Sequence, residues 1–150
     1  MKVELRSAPM LLRGIRGLVR CYVADQGFSE DRCDEVVLAV DEACTNAMRH
    51  AYEGATDRTL ELVLRSNGAA LEVELRDQGR PAPWEVLDRK KEVEPPSLDN
   101  LKPGGLGIQL MYSVFDEVTF TPGERVGNTV IMRLNRPAAT AAGADGATGK

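Results

Sequence analysis

The chain has 150 residues, 43% hydrophobic and 28% charged, with a formal net charge of −4. That length suits one domain with a sizeable core, and the acidic balance argues against a dedicated nucleic-acid binder, which carries a basic excess. No apolar run nears the ~20 residues that cross a bilayer, and the start MKVELRSAPM lacks the apolar stretch of a secretory signal. Cys21, Cys33 and Cys44 show no C-x-x-C spacing and read as buried thiols in a reducing compartment. A cytoplasmic protein with no membrane segment is expected.

In chain order, KVELR (2–6) alternates and predicts a strand. From Pro9 to Gln26 the apolar residues Leu12, Ile15, Val19 and Tyr22 recur at helical spacing, with Arg13, Arg16 and Arg20 on another side. The bland reading of those arginines is a solvated face; the other is a surface for an acidic partner or a phosphate. Gly27 ends this helix, and Ser29 followed by Glu30 and Asp31 starts the next. The second helix is expected to run to about Tyr52, with Val36, Val40, Ala43 and Ala47 as its core stripe, widened by Val37, Cys44 and Met48.

TLELVLRS (59–66) and ALEVELRD (70–77) both alternate around Asn67-Gly68, a strong hairpin signal. A long irregular segment follows Asp77, interrupted by an expected short helix at 84–91. IQLMYSVF (108–115) then reads as a helix, EVTFT (117–121) and NTVIMRL (128–134) as strands. The division expected is a domain over 1–136 and a low-complexity tail, PAATAAGADGATGK, over 137–150. The fold class is α+β: a two-layer sandwich of a mixed, mostly antiparallel sheet with helices on one face.

Four segments carry possible chemistry. In DEACTNAMRHAYEG, Glu42, Asn46 and the chain's only histidine, His50, stand at i, i+4 and i+8 on one helix side. A carboxylate and a carboxamide one turn apart could serve as a proton acceptor and a Mg²⁺ ligand for phosphoryl transfer, although alone such a pair is usually a solvated face. DQGRP (77–81) ends a strand; Asp77 could accept an amine hydrogen bond, and Gly79 could let the backbone approach a flat base. KPGGLGIQLM (102–111) places glycines before a helix whose first amides lack partners, a possible phosphate cradle without a Walker A signature. Thr129 matters only if its hydroxyl shares a pocket with Asp77.

The ordered set EACTNAMRHAY, DQGRP, GGLGI and GNTV resembles the N, G1 and G2 boxes of the GHKL ATPases, above all the bacterial anti-sigma factor serine/threonine-protein kinase family, whose helix reads E-A-x-x-N-A-x-x-H-x-Y. The resemblance spans residues 5–135. It implies that Asn46 binds Mg²⁺, Glu42 is the general base and Asp77 binds the adenine amine with Gly79 against the ring. Gly105, Leu106 and Gly107 would border the phosphates, Thr129 would contact the adenine side, and Arg49 would belong to the nucleotide-binding set. His50 would contact nucleotide or brace a lid, a packed or hydrogen-bonded structural histidine being the weightier reading. The sequence departs from the pattern at Arg80-Pro81, where many GHKL enzymes have a glycine, and at Ala82, often aromatic in this branch.

The resemblance further implies an ATP- and Mg²⁺-dependent kinase that holds a sigma factor inactive and phosphorylates a serine on a STAS-type anti-sigma antagonist. Apart from the resemblance, the amphipathic first helix with Arg13, Arg16 and Arg20 could build a homodimer face or dock a partner. The alternative is a catalytically inactive ATP-binding regulatory module acting by protein contact only.

Overall fold

The computed structural model describes residues 1–82 and 106–136. In order these form β1 (Lys2–Arg6), a 3₁₀ turn (Pro9–Leu11), α1 (Leu12–Asp25), α2 (Glu30–Asn46), a π turn (Ala47–Ala51), β2 (Thr59–Ser66), β3 (Ala70–Asp77), α3 (Leu106–Val114), β4 (Glu117–Pro122) and β5 (Asn128–Asn135). The expected helix at 84–91, the glycines Gly104 and Gly105 and the tail at 137–150 lie outside the described residues.

The five strands pair in the order β1-β2-β3-β5-β4, every pairing antiparallel. Alternation decides which face is buried. Leu60, Leu62 and Leu64 of β2, Leu71, Val73 and Leu75 of β3, and Met132 and Leu134 of β5 are buried in one cluster with the helices. Each such side chain stabilises the fold by about 1.5–3 kcal/mol relative to exposure. The opposite face is charged. Glu61 meets Lys2 at 2.6 Å and Arg76 at 3.1 Å, while Glu74, only 5% exposed, takes Arg65 at 2.7 Å and the Nε of Arg76 at 2.6 Å.

The β2–β3 turn is centred one residue later than the Asn67-Gly68 dipeptide suggests. Asn67 N donates to the Ala70 carbonyl at 3.1 Å, and its Oδ1 accepts the amides of Ala69 and Ala70, both at 2.9 Å. Gly68 and Ala69 are therefore the turn's central pair, and Asn67 folds its side chain back onto the backbone as Asn does before a turn.

α1 buries Leu12, Ile15, Val19 and Val23, with Tyr22 half-buried beside them. It closes at Gly27, whose φ of +83° is the left-handed geometry of a helix terminus. The Ser29 hydroxyl caps α2 by accepting the Arg32 N–H at 3.4 Å. The expected core stripe of α2 is buried, Val37 half so, with Cys33 and Ala39 added. Two arginines of α1 are not a free face: Arg16 grips Asp41 through Nε and Nη2 at 2.7 and 2.9 Å, and Arg20 pairs with Asp34. Cys33 and Cys44 are buried free thiols, whereas Cys21 is exposed on α1. Among the described residues no helix is long and apolar enough to cross a membrane.

Candidate active site

The second helix reaches Tyr52 by a change of pitch. α-Helical geometry ends at Asn46, and residues 47–51 widen into a π turn in which Tyr52 N donates to the Ala47 carbonyl at 3.1 Å. Gly54 N then bonds the Met48 carbonyl at 2.9 Å, with Glu53 and Gly54 at φ +51° and +83° reversing the chain. Single π turns inside helices frequently mark functional positions.

Glu42 and Asn46 lie one turn apart just before this widening, both partly buried. Among the described residues the Nδ2 of Asn46 is buried and without a hydrogen-bond partner. Most buried polar atoms are paired, so an unmet amide at this point suits a ligand. Rotation about its terminal torsion exchanges nitrogen and oxygen, so the position can offer an acceptor to a cation or a donor to a phosphate. Glu42 lies against α3: a Cβ built on Gly107 would overlap the Glu42 carboxylate. Arg49 and His50 follow in the π turn and are exposed, so of the readings expected for His50 the packed one does not hold. Leu106 is the first residue of α3.

At the exit of β3, Asp77 accepts the Gly79 N–H at 2.9 Å and the Asn128 amide at 3.0 and 3.2 Å. Burial pushes the Asp77 carboxyl above its ordinary pKa, against the opposing pull of Gly79 and Asn128. Gly79 also has a reason within the fold itself: a Cβ there would overlap the carbonyl, and crowd the side chain, of Ala51 at the end of the π turn. Arg80 N bonds the same Ala51 carbonyl at 2.8 Å, so residues 79–80 are docked directly on the helix that carries Asn46.

Thr129 is not brought to Asp77. In the β3–β5 register Asp77 pairs with Asn128 and Arg76 with Thr129, and alternation puts Thr129 on the charged outer face with Arg76. Asn128 holds the position foreseen for Thr129. Its Oδ1 accepts Ala82 N at 2.7 Å, and its Nδ2 also donates to the Arg80 carbonyl at 3.0 Å.

A family model described as histidine kinase-like ATPase domain matches residues 5–134. The chain belongs to that family. It is 34% identical over 142 residues to the serine-protein kinase RsbW of Bacillus licheniformis, covering 89% of this chain and 86% of that one, and so falls among the RsbW-type members. Two solved structures share the fold. The SiaB–SiaC complex of Pseudomonas aeruginosa matches with a TM-score of 0.67 at 16% identity, over 89% of this chain and 88% of that one. The RsbU and RsbW domains of a Mycobacterium tuberculosis protein match with a TM-score of 0.58 at 18% identity, over 92% of this chain and 34% of that longer one.

Two residues around Asp77 escape sequence reasoning. Asn128 precedes a threonine that fits the same motif, and only strand register separates them. Tyr52 reads as the end of a helix, yet its hydroxyl donates to the Thr59 carbonyl and accepts Gln78 N at 2.8 Å. The H-A-Y ending of the motif was its one visible signal.

Proposed function

We propose that this chain is a Mg-ATP-dependent protein serine kinase of the RsbW type that acts as an anti-sigma factor in the cytoplasm, with a sigma factor and a STAS-type antagonist as partners. The observation that carries the reading is the buried Asn46 amide, unpartnered among the described residues, with Glu42 one turn away against Gly107. In this reading Asp77 receives the exocyclic amine of adenine, held by Asn128 and Gly79 as an oriented acceptor. The glycines before α3, with Leu106 and Gly107, border the phosphates, and Arg49 and His50 lie on the solvent side.

The donors suit a divalent ion of the Mg²⁺ kind. Among the described residues no group of three His, Cys, Asp or Glu side chains forms a metal cage. A Mg²⁺ ion bound by Asn46 would therefore complete its shell with phosphate oxygens and water, its usual habit. Its chemistry there is neutralisation of phosphate charge. Glu42 takes the proton of the attacking serine hydroxyl; the serine oxygen bonds to the γ-phosphorus, the bridging P–O bond breaks, and ADP carries away the electron pair.

Asn46→Ala is expected to abolish Mg-ATP binding by calorimetry, and unchanged affinity would remove the metal role. Glu42→Ala is expected to keep ATP binding while transfer of labelled phosphate to an antagonist serine falls by at least about 100-fold. Full transfer by that variant would refute Glu42 as the base.

A further inference from the structure

Tyr52 has neither a charge nor a place among the roles assigned above, yet its phenol joins three segments. The residue is 7% exposed. Its hydroxyl donates to the Thr59 carbonyl at the start of β2 and accepts the Gln78 N–H at 2.8 Å. Gln78 directly follows Asp77, so this bond holds the peptide plane beside the Asp77 carboxylate. The neighbouring Ala51 docks the same stretch, through its carbonyl to Arg80 N at 2.8 Å and through the bare Cα of Gly79. The π turn that ends at Ala51 begins one residue after Asn46. A continuous path therefore runs from Asn46 through the π turn and Tyr52 to Gln78 and Asp77.

From this connectivity we infer that Tyr52 is a positioning residue for base recognition, setting the Asp77 carboxylate against the exocyclic amine of the nucleotide at a fixed offset from Asn46. The inference rests on the nucleotide site proposed above. A tyrosine needed only for the core would need only its ring. Here the hydroxyl takes a donor and an acceptor from two separate segments, and one of them adjoins the recognition carboxylate. Phenylalanine preserves the packing and removes the hydroxyl that bridges Gln78 N–H and Thr59 C=O, so that the peptide next to Asp77 loses its tie to the π turn while the phosphate side keeps its contacts.

The test compares the full chain with Tyr52→Phe in Mg²⁺ by calorimetric titration with ATP and with ITP, which carries a carbonyl where ATP carries its amine. The expected result is ATP affinity lower by about ten-fold, ITP affinity changed by less than about two-fold, and no further ATP loss when Tyr52→Phe is added to Asp77→Ala. Unchanged ATP binding, equal weakening of both nucleotides, or an additive loss in the Asp77→Ala background overturns the inference. Failure of the unaltered chain to bind either nucleotide would instead overturn the site itself, and the inference with it. Should Tyr52→Phe not fold, hydrogen exchange of the unaltered chain decides: the Gln78 amide is expected to be protected before nucleotide is added, and free exchange there refutes the role.

Discussion

Asn128 donates one amide to both carboxylate oxygens of Asp77, at 3.0 and 3.2 Å, and so ties the first residue of β5 to the last residue of β3. Burial is the larger influence on Asp77 and raises its pKa above the ordinary 3.8; the Gly79 and Asn128 hydrogen bonds pull the other way. A carboxyl raised in the folded state lends stability below its unfolded pKa and loses that contribution as pH rises through the folded value. Removing the Asn128 donor is expected to raise it further. Titration of the Asp77 carboxyl by carbon NMR checks this: the midpoint in Asn128→Ala should exceed that of the parent chain, and an equal or lower midpoint contradicts the assignment.

Gly107→Ala is expected to disable transfer without unfolding the protein. The added methyl occupies the space of the Glu42 carboxylate, a flexible group that gives way by swinging off its helix side. A displacement on the scale of 1 Å costs on the order of 100-fold in rate. Phosphoryl transfer and circular dichroism on the same sample separate the two effects; a normal transfer rate would mean that Glu42 has no fixed place in the reaction.

Gly79→Ala meets backbone in place of a flexible side chain. The methyl runs into the Ala51 carbonyl and must push residues 79–80 off the π turn. Overpacking of this kind costs about 1–3 kcal/mol, which for a chain of this size lowers Tm by roughly 2–4 °C per kcal/mol. Thermal unfolding measures it, and an unchanged Tm would show that the two segments are not in contact.

On the outer face of the sheet, Glu74 predicts an acid limb to stability. Burial opposes its ionisation, but hydrogen bonds and charge from Arg65 and Arg76 outweigh that and hold its pKa below the ordinary 4.5. Stability from such a group is present above the unfolded pKa and lost as pH falls through the folded one. Glu74→Gln should therefore be less stable than the parent chain at neutral pH, and the gap should close below pH 4.5 in urea unfolding. A gap that stays constant with pH would assign the loss to packing alone.

Local chemistry settled much of this protein in advance. The limits of β1, β2 and β3 follow from alternation, the start of α2 from the Ser29 cap, and the end of α1 from Gly27, because each depends on residues within a turn or a strand pair of one another. The placement of Glu42 and Asn46 one turn apart on a helix, and of Asp77 at a strand end, is likewise legible, since helical spacing and a strand ending in D-x-G are local patterns. Other features needed the folded chain. Strand register put Asn128, and not Thr129, beside Asp77, and a shift of one residue would have exchanged their faces. The need for glycine at 79 arises from Ala51, twenty-eight positions earlier, and that at 107 from Glu42, sixty-five positions earlier. The hydroxyl of Tyr52 acquires its partners only where β2 and the exit of β3 meet the π turn. Such contacts have no period along the chain: they are set by which elements pack together, and packing is decided by the core as a whole.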